Sequence, residues 1–192
     1  MILKDAIDTA QTILNDGGVT YERADLLRYA NNALDAMVLL APQLFQVVGD
    51  LSCLADSTAQ DISSFDDAHA LVSVVRVKGG RALSRFDKAT MDQYTPEWHL
   101  DDADAARGWC PDDTGNPMRF FIWPKAPAGQ VLEVVYVRVP GEYGETDDTG
   151  LPATYASAIA DFIVGSAESR DDEHVNANRA LLSFNKFRAY FK

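Results

Sequence analysis

Apolar residues recur at three- and four-residue steps at both ends of this chain, while short, dense apolar runs fill its middle. Leu3, Ala6, Ile7, Ala10, Ile13 and Leu14 share one side of a helix over residues 2–14. Asn15, Asp16, Gly17 and Gly18 then suit a left-handed C-terminal cap. A longer helix follows, with Thr20 as N-cap, Glu22 in the first turn and Leu27, Ala30, Leu34, Met37 and Leu40 as its inner face. Pro42 stops it.

Beyond Pro42 the period changes. Residues 45–54 and 71–77 are short, rich in Val, Leu and Phe, and bounded by polar or glycine turns, so they read as strands. Gly79 and Gly80 lie between residues 74–78 and 81–86 and match a two-residue hairpin turn, which needs positive φ. Residues 87–94 allow one or two helical turns before Pro96. Residues 97–113 hold six acids against Arg107 alone, with Trp98 and Trp109 embedded, and read as an irregular loop. Residues 118–123 and 130–139 are two more strands joined by 124–129; the second is apolar on both faces, as a central strand is. Residues 141–150 form a turn-rich acidic linker.

The C-terminal stretch, residues 155–191, predicts a helical hairpin. Pro152 and Thr154 open its first arm, where Ala156, Ile159, Ile163, Ala167 and Arg170 fall at helical steps and Phe162 widens the stripe toward Leu151 and Tyr155. Asp171, Asp172 and Glu173 begin the second arm at the positive end of its dipole, and Arg179, Lys186, Arg188 and Lys192 follow toward the negative end. Its stripe, Ala177, Ala180, Leu181, Phe184, Phe187 and Phe191, must be buried in this subunit or in a partner. The whole is an α+β chain of one domain: a four-helix bundle from residues 1–41 and 151–192, with an antiparallel β-rich region of five or six strands and acidic loops inserted as residues 42–150.

Composition narrows the function. With 192 residues and 47% apolar content the chain can bury a core without staples. Cys53 and Cys110 are too few for a disulfide framework, no secretory signal opens the sequence, and the longest apolar runs fall far short of the ~20 residues a spanning helix needs. These features predict synthesis in a reducing cytoplasm and no membrane. A net charge of −12 argues against gripping nucleic acid, since phosphate contacts supply most of that affinity, though DNA can slide past such a surface.

Candidate chemistry is sparse. Asp113-Thr114-Gly115 and Asp148-Thr149-Gly150 repeat the triplet of aspartic proteases, where two carboxylates share a proton. Both follow another Asp and soon meet Pro117 or Pro152, which is turn composition. His69, His99 and His174 are far apart, and Asp101, Asp102 and Asp104 lack the ligand spacing of a calcium loop, so no metal and no cofactor is expected. Arg76, Lys78, Arg81, Arg85 and Lys88 form a basic cluster that reads either as a partner-facing hairpin or as strand charges that discourage edge pairing. Asn176, Asn178 and Arg179 are polar residues on a packing helix, either bridging subunits or facing solvent. Phe184, Phe187, Tyr190 and Phe191 crowd the chain end, as core or as a docking element.

The succession of motifs resembles the head-to-tail adaptor, or connector, proteins of tailed, chiefly short-tailed, bacteriophages. The residues that carry it are Ile13-Leu14-Asn15-Asp16, Leu26-Leu27-Arg28-Tyr29-Ala30-Asn31-Asn32-Ala33 before Ala41-Pro42, and Val74-Val75-Arg76-Val77-Lys78-Gly79-Gly80-Arg81-Ala82-Leu83. Tyr94-Thr95-Pro96-Glu97-Trp98, Phe120 to Pro124 and Tyr136 to Pro140 continue it, and Leu151-Pro152 with Tyr155, then Asp171-Asp172-Glu173, Asn176 and Arg179-Ala180, complete it. The resemblance implies a non-catalytic virion protein at the head–tail junction, assembled in the bacterial cytoplasm. It would form a ring, commonly dodecameric, beneath the portal protein and above a tail or nozzle protein, with DNA passing transiently through its channel. It implies that the C-terminal segment, here ending in Phe184, Phe187, Tyr190 and Phe191, reaches the portal, and that β-rich loops such as the one bearing Arg76, Lys78, Arg81 and Arg85 meet the next tail component. The alternatives are another neck or tail-completion protein and an Asp-Thr-Gly hydrolase.

Overall fold

In chain order, helices come before and after a β-rich middle, so the chain is α+β. The computed structural model describes residues 1–15, 20–169 and 176–192. The chain divides into two compact units, one of Met1–Leu44 with Pro140–Lys192 and one of Phe45–Val139.

In the first unit, α1 (Leu3–Leu14) buries Leu3, Ala6, Ile7, Ala10 and Leu14, as its spacing dictates, and leaves Ile13 exposed. Asn15 closes it at φ 53°, donating its backbone N–H to the carbonyls of Gln11 and Thr12. The rest of the expected cap, Asp16, Gly17 and Gly18, lies outside the described residues. The second helix, α2 (Arg23–Leu40), starts later than expected, with Glu22 rather than Thr20 at the cap position. Its buried face is Leu26, Ala30, Ala33, Leu34, Met37 and Val38, whereas Leu40 is exposed and Leu27 half-buried. The leucines of this helix permit two stripes. Packing takes the one that places small Ala30 and Ala33 inward, where backbones can approach closely.

A further helix, α3 (Lys88–Tyr94), belongs to the second unit and is capped by Asp87, which accepts the Thr90 N–H. In the first unit a 3₁₀ turn over Ala153–Tyr155 leads into α4 (Ala156–Glu168), and α5 (Ala177–Ala189) follows. Ala158, Ile159, Ala160, Ile163, Val164, Gly165 and Ala167 of α4 are all buried, because this helix packs against α1, α2 and α5. The cap of α5 is Asn176, whose side chain accepts the Arg179 N–H. Arg170, Asp171, Asp172 and Glu173, expected on this hairpin, lie outside the described residues. The α5 stripe also differs from expectation: Ala180, Ser183 and Phe187 are buried, but Leu181 is 61% exposed. Covered chiefly by α4, with Arg179 reaching the Ile13 carbonyl of α1, α5 buries a narrow face.

Residues 140–150 group with these helices. Arg23 Nε donates to both carboxylate oxygens of Glu145 at 2.8 Å, and Arg23 also pairs with Asp8 at 2.8 Å. Asn31 donates to the Tyr143 carbonyl and accepts the Tyr143 N–H, pinning that backbone along α2.

The second unit holds seven short strands: β1 (Gln46–Ser52), β2 (Ala59–Asp61), β3 (Ala68–Val77), β4 (Ser84–Arg85), β5 (Gly108–Pro111), β6 (Arg119–Trp123) and β7 (Val131–Arg138). One sheet runs β1-β7-β3, antiparallel throughout, with Leu51 opposite Leu132 and Val74 opposite Val134. Strand β7 is central, in keeping with its two apolar faces. The other sheet runs β2-β6-β5-β4. Leu51, Ile62, Val74, Phe120, Ile122, Leu132 and Val134 form the core of this unit.

Three expectations need correction here. The turn after β3 forms, with Gly79 at φ 71° and the Gly80 N–H bonded to the Val77 carbonyl, but its second arm pairs only briefly. After the Arg76–Ala82 bridge that arm crosses to the other sheet as β4, which runs parallel to β5 and so breaks the all-antiparallel expectation. Residues 97–113 are irregular chiefly over 101–107. They contain a 3₁₀ turn at Trp98–Leu100 and strand β5, and they bury Trp98 and Trp109, whose rings outweigh the surrounding acids.

Candidate interaction surfaces

At the chain end, the aromatic side chains of α5 meet those of α4. Phe162 takes the rings of Phe184 and Phe187 edge-on at 5.4 and 4.9 Å, and Phe187 packs on Phe191 at 5.3 Å. Phe191 stacks on Tyr155 at 6.0 Å. Of the four candidate docking residues, Phe187 is buried, Phe184 and Phe191 are half-buried, and Tyr190 is 48% exposed. Tyr190 lines an open cavity of about 450 Å³ with Asp161, Lys186 and Ala189. Burial pushes the Asp161 carboxyl up from its ordinary value, and the Lys186 charge opposes that shift.

The basic cluster is less cationic than its sequence suggests. Arg76 is held by both oxygens of Glu133, at 3.1 and 2.9 Å, and Lys78 pairs with Asp50. The Arg85 guanidinium lies 5.7 Å from the centre of the Trp109 ring, and Lys88 pairs with Asp92 at 2.6 Å. Arg81 is exposed without an ion-pair partner among the described residues. Sequence proximity brought these cations together, and cross-strand acids separated by up to 57 residues neutralise two of them.

Both Asp-Thr-Gly triplets are turns, one in each unit. At the first, Asp112, the residue just before the triplet, accepts the Thr114 N–H, which holds the Asp112 carboxyl below the usual range, and Gly115 sits at φ 90°. The other oxygen of Asp112 is buried with no hydrogen bond, 3.7 Å from Arg119 Nε. In the second triplet, Asp148 accepts from the Met1 ammonium at 2.8 Å and from the Gly150 N–H, while the Thr149 hydroxyl donates to the Met1 carbonyl. The Asp148 carboxylate is thus engaged locally by the chain's own backbone and N-terminus. Asp101 and Asp102 of the acidic stretch accept from Trp123 and pair with Lys125. His69 and His99 are exposed, and His174 lies outside the described residues. Among the described residues no cluster of three or more His, Cys, Asp or Glu is placed to hold a metal ion.

Sequence reasoning missed a groove of about 340 Å³ between α2 and residues 140–143, walled by Leu27, Asn31, Asp35, Pro140, Glu142 and Tyr143. Burial pushes the Asp35 carboxyl up, and neither Asp35 nor Glu142 has an ion-pair partner among the described residues. The four-residue steps of Leu27, Asn31 and Asp35 put all three on one helix side, but no local pattern announces the opposite wall, which lies more than 100 residues away in sequence.

A family model described as SU10 adaptor protein matches residues 1–192, the whole chain. No curated protein matches it.

Proposed function

The chain belongs to the SU10 adaptor protein family, and from that premise we propose that it works as a ring of about twelve copies joining the portal of a phage head to its tail. The observation that carries this reading is the family match over the full length, which agrees with the order of motifs that resembles head-to-tail adaptors. On this reading α1, α2, α4 and α5 form a four-helix bundle that is the body of each subunit, the β unit meets a tail or nozzle protein through the loop bearing Arg81, and the role is structural rather than catalytic. DNA passes through the channel without sticking. The net charge of −12 supports that, because like charges repel duplex phosphates over about a Debye length, ~8 Å at physiological salt. The protein takes its place at the head–tail junction of the virion after synthesis in the bacterial cytoplasm.

Portal attachment is assigned to the chain end, and its parts are separable. Removing the residues after Ser183 deletes Phe184, Phe187, Tyr190 and Phe191 together and strips α4 of its cover, so it tests docking and folding at once. Tyr190→Asp changes only the exposed member. The expected result is co-sedimentation of the wild type with portal particles and at least a tenfold loss for Tyr190→Asp, with an unchanged circular dichroism spectrum. Wild-type binding by both the truncated chain and Tyr190→Asp contradicts the docking role of the chain end.

A further inference from the structure

Exposed apolar side chains in the helical unit are concentrated in few places. Among its large hydrophobic residues, Leu39 and Leu40 at the end of α2 are 72% and 42% exposed, and Leu181 and Leu182 on α5 are 61% and 56% exposed. Leu181 begins a stripe with Asn185 and Arg188, at four- and three-residue steps along α5, and Lys192 follows beyond the helix end; Leu182 stands about 100° round the helix from it, on the side of Lys186. Tyr190 lies on the opposite flank, so this stripe is separate from the portal-docking surface assigned above. No acid occurs from residue 176 to the chain end, and neither Arg188 nor Lys192 has an ion-pair partner among the described residues.

The groove along α2 is its chemical complement. Its long axis follows Leu27, Asn31 and Asp35, and the exposed Leu39 lies one turn beyond. Its charged members are Arg28, which Asp25 holds at 2.9 Å, and the two unpaired acids Asp35 and Glu142. Asp35 stands at an exposed position, its carboxylate partly desolvated and without an ion-pair partner among the described residues, an arrangement that a guanidinium or ammonium from outside would relieve. A cationic stripe with a leucine at one end fits a groove with two acids that have no ion-pair partner among the described residues and a leucine at one end. The two surfaces are different patches of the same chain, which is the condition for a head-to-tail contact that closes into a ring.

We propose that the α5 stripe of Leu181, Asn185 and Arg188, with Lys192 just beyond the helix, docks in the groove between α2 and residues 140–143 of a second copy of this chain, and that this contact, repeated, builds the oligomer. The inference rests on the ring reading above and names the surfaces that form it.

The test exchanges charges. One variant carries Asp35→Lys with Glu142→Lys, the other Arg188→Glu with Lys192→Glu, and each is checked for folding by circular dichroism and thermal melting. The wild type, alone or with portal, is the control in native mass spectrometry. Each variant alone brings like charges together and is expected to fall from the ring to the 21.1 kDa monomer. An equimolar mixture is expected to regain rings, because the cationic stripe of the first meets the acidic groove of the second and the acidic stripe of the second meets the cationic groove of the first. Rings from either variant alone overturn the proposal. So do well-folded variants whose mixture stays monomeric, a result that would give the two surfaces to the portal or a tail protein instead. A wild type that forms rings under neither condition contradicts the ring reading itself, which separates the two failures. Should a charge pair impair folding, Leu181→Asp at an exposed position is expected to give the same loss of rings, and rings at wild-type abundance from that variant overturn the proposal.

Discussion

Gly165 shows how tightly the last helix is fitted. A Cβ at this position would come within 3.1 Å of three ring atoms of Phe184, closer than ordinary van der Waals contact. Glycine inside a helix costs about 1 kcal/mol relative to alanine, and here it lets α4 accept the ring of α5 face-on. Gly165→Val is therefore expected to lower unfolding stability by about 1–3 kcal/mol, as overpacking does, through displacement of Phe184. A urea titration checks this. An unchanged midpoint would mean that α5 yields freely and that the aromatic cluster does not fix its position. The cysteines show the opposite kind of fit: burial pushes the Cys110 thiol up to about 11 and raises Cys53 as well, which suits packing rather than reactivity.

Between elements, Arg23 is the principal polar tie of the helical unit. Its guanidinium joins α2 to Asp8 and Gln11 of α1 and to Glu145 in the segment that precedes α4. The Arg23 hydrogen bond holds the Asp8 carboxyl below its ordinary 3.8, with a second contribution from Lys4. A carboxyl lowered in the folded state contributes stability that is present above the unfolded value and is lost as pH falls through the folded one. Arg23→Gln should thus melt roughly 2–4 °C below the wild type at pH 7, the effect of about 1 kcal/mol in a chain of this size, and the gap should close below pH about 4. A gap that persists undiminished at pH 3 would assign the effect to packing of the arginine stem.

Nothing near Arg23 in sequence announced this tie, since Glu145 is 122 residues away. Elements whose signals are local were legible: the α1 spacing with its Asn15 cap, the apolar run of β7, the short helix before Pro96. Those defined by remote partners were not. Strand β2, of three residues, forms on the edge of β6, and β4, inside the expected arm 81–86, pairs with β5 rather than with β3. Trp98 and Trp109 were hidden by the acids around them. The candidate site was legible only in part: the aromatic end was visible as residue types, but its division into inward Phe187 and outward Tyr190 depends on where α4 lies. The α2 groove has a second wall that no helical pattern reveals.

For the whole molecule, membership of the SU10 adaptor protein family, the charge of −12 and the exposed apolar residues of α2 and α5 are what the proposed ring rests on. An isolated monomer would leave Leu39, Leu181 and Leu182 in water at a cost of about 25 cal/mol for each Å² of apolar surface that a neighbour would otherwise cover. The measurement that tests the ring account most directly is native mass spectrometry, paired with negative-stain microscopy, on the wild-type chain alone and mixed with the portal protein of the same phage. The account predicts closed rings of about twelve times 21.1 kDa, free in solution or seated on the portal. A species that remains a monomer or dimer in both conditions, at concentrations where the portal itself is assembled, would contradict it.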